Sequence, residues 1–226
     1  MTEAEHPGLH GPALRRAERL ADVAVHWTGI ALAAVALPVL IVIAAIRDGR
    51  AATIAAVSVY AVTSMAMLGF SGAYHMSRNP RLRQLLRRFD HAAIYLKIAG
   101  TQTPFAVLAG GAWSAWLMIG VWCAAIAGAA TKLFARHSHD RLSVALYLAL
   151  GWAALLLLPA MWQGMSGLSL VLVLAGGLLY SAGVVFHLWD GLPFQNAIWH
   201  GFVLAATGVF YTALLVELTR RGGGLA

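Results

Sequence analysis

The sequence predicts an all-α polytopic membrane protein with seven transmembrane helices and a cytoplasmic N-terminus. Three observations lead there. The 226 residues are 60% hydrophobic and only 11% charged, whereas a soluble domain carries about 25% charged residues. A soluble fold of this size could not cover its surface with so few charges. The apolar residues fall into seven continuous runs, each near the ~20 residues that cross a bilayer as a helix. None shows the strict alternation of a barrel strand. The basic residues concentrate in alternate loops.

Residues 1–22 form a polar N-terminal segment containing Arg15, Arg16, Glu18 and Arg19. Span one follows at 23–46, too long for the 7–15-residue core of a signal peptide, and reads as a retained helix. The next runs lie at about 51–74, 91–108, 112–131, 142–161, 165–185 and 197–218. Residues 23–218 thus make one seven-helix membrane domain, and 219–226 a short tail. The breaks carry turn or charge signals, such as Arg47-Asp48-Gly49-Arg50, Gly110-Gly111 and Trp162-Gln163-Gly164.

With the N-terminus inside, eleven basic residues fall in cytoplasmic segments and four on the other side, Lys97 lying within span three. That asymmetry sets the orientation. The net charge of +7 is accounted for by orientation and by anionic lipid, with no nucleic-acid partner implied. The use of 14 Arg against 2 Lys with abundant Ala fits a GC-rich bacterial genome, so the expected location is a bacterial inner membrane. The single cysteine, Cys123, excludes an internal disulfide.

The loop before span three has a helix signal of its own. Asn79 suits an N-cap and Pro80 the first helical position. Leu82, Leu85, Leu86 and Phe89 follow at helical spacing with arginines between them. Residues 79–89 therefore read as a short helix on the inner membrane surface, its arginines facing anionic headgroups. A plain positive-inside loop is the simpler alternative.

Ionisable residues inside a membrane are costly and usually functional. The topology places His26, His75, Asp90, His187, Asn196 and His200 at one level near the inner face. Asn196 and His200 share a helical stripe. Imidazoles and a carboxylate drawn from different helices can build a zinc site inside a bundle. Any one of these histidines alone reads more simply as an interfacial side chain; His75, Asp90 and His200 together point to a site. Lys97 lies on Asp90's stripe, ~10 Å deeper, where it either pairs with Asp90 or snorkels inward. Pro104 frees a carbonyl in mid-span, which Thr101 or Thr103 could accommodate, or it simply kinks the helix.

Several of these residues carry a resemblance. Ser71-Gly72-Ala73-Tyr74-His75 resembles the Ser-x-x-x-His motif of the hemolysin III family, part of the wider progestin and adiponectin receptor group. Asp90-His91-Ala92-Ala93-Ile94-Tyr95, with Ile98 through Phe105, resembles its most recognisable stretch. Ala197-Ile198-Trp199-His200-Gly201 is similar to the start of its seventh helix, and Glu18 with His26-Trp27-Thr28-Gly29 to its opening segment. The resemblance implies seven helices, an inside N-terminus and an intramembrane zinc near the cytoplasmic face. It assigns His75 and His200 as metal ligands, Asp90 as the carboxylate holding the metal's water, and Ser71 as its partner. One position departs: Asn196 stands where the family has a ligand His, and a neutral amide is a poor zinc ligand. Three arrangements then remain open. Zinc binds in altered form with Asp90 on the metal, His187 or His91 substitutes, or the site holds no metal. Gln102 also stands where the family often has Tyr.

Two functions from different classes follow. In the first, the protein is a zinc-dependent hydrolase of a lipid amide, with Asp90 as general base and substrate entering from the bilayer. In the second, it is a non-enzymatic cytolysin, channel or sensor of membrane state with a degenerate metal site. A retinal pump is disfavoured, because span seven has no Schiff-base lysine.

Overall fold

The computed structural model describes residues 11–135 and 140–222. Their regular structure is helical: α1 (Pro12–Arg47), α2 (Ala51–Met76), α3 (Pro80–Ala109), α4 (Gly111–Phe134), α5 (Asp140–Trp152), a 3-10 turn at Ala153–Leu157, α6 (Leu158–Gly164), α7 (Gly167–His187) and α8 (Gln195–Gly222). α5, the turn and α6 together make one membrane-length rod, so the polypeptide crosses as seven rods. Six of the rods are long and apolar enough to span a membrane by length and composition.

The seventh rod, α3, differs for a physical reason. It carries Asp90, Lys97, Thr101 and Gln102, all buried. It packs against α2, α4, α5, α6 and α8. A helix enclosed by its neighbours need not present apolar side chains to lipid. The other rods do so: Trp27, Leu32, Val35, Trp116, Ile126, Leu178 and Val185 are all exposed. Close approach to α3 is allowed by small residues. A Cβ at Gly100 would collide with Thr63 of α2, and one at Gly128 of α4 would collide with the Tyr95 ring. Such contacts take the place of a hydrophobic driving force between helices in lipid.

Local sequence signals explain the ends. Asn79 caps α3 as expected, its side chain accepting from Arg81 N at 3.0 Å and Leu82 N at 3.4 Å. The expected separate surface helix at 79–89 is instead the first turns of α3, which runs unbroken to Ala109. The reason is continuity of helical register: nothing between Phe89 and Asp90 stops the helix, and Asp90 turns inward into the bundle. α1 likewise starts at Pro12, eleven residues before the expected span, so Glu18 and Asp22 belong to the helix.

Pro104 does not break α3. The carbonyl it leaves free is that of Gly100, and the threonines donate elsewhere, Thr103 to Ala99 O and Thr101 to Lys97 O, each at 2.8 Å. The fifth span does break, before Pro159, where the backbone tightens into the 3-10 turn. Side chains from neighbouring rods satisfy carbonyls around the break. Gln102 Nε2 donates to Leu150 O at 2.7 Å, and Trp113 Nε1 to Leu156 O at 2.9 Å. That is how an interrupted helix survives inside a membrane.

Candidate metal centre

Four rods converge at the end of the bundle that holds the α2–α3 and α7–α8 connections. α1 brings Asp22 and His26, α2 brings Ser71 and His75, α3 brings Asp90, and α8 brings His200. Asp22 and His26 are four apart and so share one stripe of α1, as Ser71 and His75 do on α2. Gly72 keeps α1 close, for a Cβ there would press on Ile30 and Met76 at 3.2 Å.

The three imidazoles touch. Their ring centroids are 5.1 Å apart for His26 and His75, 4.2 Å for His26 and His200, and 4.7 Å for His75 and His200. One ligand nitrogen from each lies within 4.8 Å of the others, which makes these three histidines a group able to hold a metal ion.

Asp22 organises all three rings. His200 Nδ1 lies 2.7 Å from Asp22 Oδ1, and His75 Nδ1 lies 2.9 Å from Oδ2. His26 Nδ1 lies 2.8 Å from the backbone carbonyl of Asp22. A carbonyl or an ionised carboxylate only accepts, so each Nδ1 must carry the proton and donate it. In the neutral imidazole each Nε2 then keeps a lone pair. His26 Nε2 takes the Ser71 hydroxyl as its donor at 3.2 Å. Neutral imidazoles with one nitrogen tied to a carboxylate or carbonyl are what a zinc ion requires of its histidines. The residues present could therefore hold a metal ion.

The centre opens on a cavity of about 350 Å³ whose wall includes Ser71, His75, Asp90, Lys97, Asn196 and His200. The rest of the wall is mainly apolar, with Phe105, Leu148, Met161 and Val173 among its members. Asp90 is buried and stands beside Ser71. It faces the cavity, outside the group of three histidines.

The structure therefore brings together His75 and His200, as the sequence reading expected, and adds His26 as the third imidazole. Asn196 is exposed at the cavity wall. His187 is exposed and lies tilted against Trp199, ring centroids 5.0 Å apart, and His91 offers its backbone carbonyl to Tyr147 at 3.0 Å. Neither belongs to the group of three. Asp22 was missed, because it sits within residues taken as a polar head. The signal for it was available: an acid four residues before a histidine, at the apolar edge of span one.

Fold and centre together define a class, a multi-pass helical membrane protein with a histidine cluster held inside its bundle. Comparison with known proteins narrows this. The chain belongs to the haemolysin-III related family, whose model matches residues 16–211 and so covers every residue of the centre. It is 35% identical to hemolysin-3 of Bacillus cereus over 199 residues, 88% of this chain and 90% of that one. It is 33% identical to the hemolysin-3 homolog of Bacillus subtilis strain 168 over 201 residues, 88% of this chain and 93% of that one. The human monocyte to macrophage differentiation factor, a member of the progestin and adiponectin receptor group, is 31% identical over 135 residues, 58% of this chain and 55% of its own.

Proposed function

We propose that the protein is a bacterial inner-membrane hydrolase of a lipid amide, built on an intramembrane zinc site near the cytoplasmic face. The observation that carries this reading is the shared dependence of His26, His75 and His200 on Asp22, with His75 and His200 in the wall of a mainly apolar cavity and His26 beside them, its Nε2 facing the Ser71 hydroxyl. His26, His75 and His200 hold the metal, and Asp22 fixes their tautomers. His26 fills the place that Asn196 leaves open. Zinc, when bound, supplies Lewis acidity that polarises a carbonyl and brings the pKa of a water to about 7. Asp90, at the cavity wall, accepts the proton of the attacking water and returns it to the leaving amine. Ser71 positions Asp90 and His26 relative to each other. The cavity wall shelters the acyl chain from water, and the bilayer supplies the substrate. The arginines of the first turns of α3 grip anionic headgroups on the same side.

The test is metal content by elemental mass spectrometry on detergent-purified protein, followed by a screen of lipid amides. About one zinc per chain, lost in His26→Ala, His75→Ala and His200→Ala, supports the site. Protein without metal, or metal retained in His26→Ala, sinks it. A second reading rests on the names of the two bacterial relatives: a cytolytic or channel-like protein without chemistry. Conductance in reconstituted bilayers that survives His75→Ala and His200→Ala, with every lipid amide left intact, would favour it.

A further inference from the structure

The metal centre makes no use of Lys97, and neither does the fold. The side chain is buried, at 4% exposure, in the middle of α3. It neither pairs with Asp90 nor snorkels to the inner face. Its Nζ donates to Thr101 Oγ1 at 2.9 Å and lies 4.6 Å from the centroid of the Tyr60 ring. Neither neighbour depends on it. Thr101 already donates its own proton to Lys97 O at 2.8 Å, and the Tyr60 hydroxyl donates to Thr207 O at 3.3 Å. A methionine would fill the same volume without an ionisable group. Ionisable side chains at such a depth mark function rather than packing.

Neither neighbour carries a negative charge, and among the described residues no carboxylate lies within ion-pair distance of Nζ. An ammonium without a counter-charge is among the costliest groups to keep in a membrane interior, and a group so placed gives up its proton. The uncharged amine keeps a lone pair while it donates to Thr101. Desolvated lysines of this kind are the nucleophiles that condense with carbonyl compounds. Lys97 also lines the cavity of about 350 Å³, with Ile94, Ile98 and Thr101 beside it on the same stretch of α3. The wall is mainly apolar, with Phe105, Met161 and Phe210 among its members. Such a wall admits an uncharged carbonyl compound more readily than an ion.

We propose that Lys97 is a covalent ligand site, separate from the histidine cluster, at which the amine condenses with an apolar aldehyde to give an imine. The Nζ lone pair forms the N–C bond, and one Nζ proton passes to the carbonyl oxygen. The resulting hydroxyl leaves as water with the second Nζ proton, and a C=N bond replaces the C=O bond. The step needs no oxidant, reductant or cofactor. The imine nitrogen keeps a lone pair, to which the Thr101 hydroxyl donates once it turns from Lys97 O. Hydrolysis, the reverse reaction, needs water, which an apolar wall excludes. An aldehyde is favoured over a carboxylate because it brings no charge into the site, and over an ester or amide because no alcohol or amine has to leave. The inference goes beyond the hydrolase reading and does not depend on the metal.

The experiment incubates the full-length protein in non-ionic detergent with hexadecanal and then reduces it with cyanoborohydride, which turns an imine into a stable secondary amine. Intact mass spectrometry counts the adducts and peptide mass spectrometry locates them. The chain has two lysines, Lys97 and Lys132, so the assignment is direct. Folded wild type is expected to take a single hexadecyl group, saturably and on Lys97. Protein unfolded in dodecyl sulfate before the reaction should lose the preference for Lys97 over Lys132 and the terminal amine. Lys97→Met should lose the saturable adduct completely. If Lys97→Met does not fold, Lys97→Gln serves, since its amide still donates to Thr101 but is no nucleophile. The absence of an adduct overturns the proposal. So does an adduct confined to Lys132 or the terminal amine, or labelling of Lys97 no faster than in the unfolded chain. Zinc content measured on the same samples separates the two readings. Unlabelled Lys97 in zinc-loaded protein refutes the imine site alone, and labelled Lys97 in protein without metal refutes the hydrolase alone.

Discussion

Asp22→Asn is the sharpest perturbation of the centre. The carboxylate offers one oxygen to His200 at 2.7 Å and the other to His75 at 2.9 Å. Asparagine keeps one acceptor oxygen and sets an NH2 group against the other imidazole's N–H. One ring must then turn or change tautomer, and either response disturbs the mutual placement of the three imidazoles. His26 is spared, because its partner is the backbone carbonyl. Loss of one such outer hydrogen bond costs about 10–100-fold in metal affinity, which is ~1.4–2.7 kcal/mol. The assay is competition with a chelator of known affinity, with bound zinc read by elemental mass spectrometry. We expect saturation still near one zinc per chain, reached at about 10–100-fold higher free zinc. The control is Glu18→Gln, one turn earlier on α1. Glu18 accepts from Phe194 N at 3.1 Å and touches no imidazole, so zinc affinity should hold. Wild-type affinity in Asp22→Asn, or an equal loss in Glu18→Gln, refutes the assignment.

Other expectations can be checked on the same preparations. Asn196→His should leave zinc content near the wild-type value, because the trio is already complete; a gain of metal over a metal-free wild type would show that His26 does not serve. Gly100→Ala should destabilise by about 1–3 kcal/mol, the usual cost of overpacking, since its Cβ would meet Thr63. Gly69→Ala, where nothing lies within 4 Å, should not; thermal midpoints compare the two. Glu217, fully buried near the opposite end of the bundle, accepts from Arg220, Arg221, Ser166 N and Ser169 Oγ. Arg221 in turn donates to Leu108 O and Gly164 O, which ties α8 to α3 and to the end of α6. Glu217→Gln should lower the midpoint by ~3 kcal/mol equivalent while zinc content stays constant, because the lesion is remote from the histidines.

Much of the architecture was legible because a membrane imposes few solutions. Apolar runs of spanning length must be helices, and Asn79-Pro80 marks the start of α3 as a cap signal does in any solvent. The level shared by His26, His75 and His200 came from chain direction alone. Helix continuity was less legible. The arginines at 81, 83, 87 and 88 looked like a surface element, but charge does not stop a helix, and α3 carries them on its opening turns. Gln102 had no evident task until the fifth span proved to break opposite it.

The sequence by itself determined the seven membrane-length rods, the family and which end of the bundle gathers the histidines, for these depend on hydrophobicity, local spacing and the alternation of direction. Only the tertiary structure decided which side chains meet. His26 rather than Asn196 joins His75 and His200, and it is the Asp22 carboxylate that accepts hydrogen bonds from His75 and His200. Lys97 turns away from Asp90 toward Thr101. The outcomes at the histidine cluster depend on how α1 rotates and leans against α2 and α8. That is set by the small residues at their contacts, and no periodicity within a single helix encodes it.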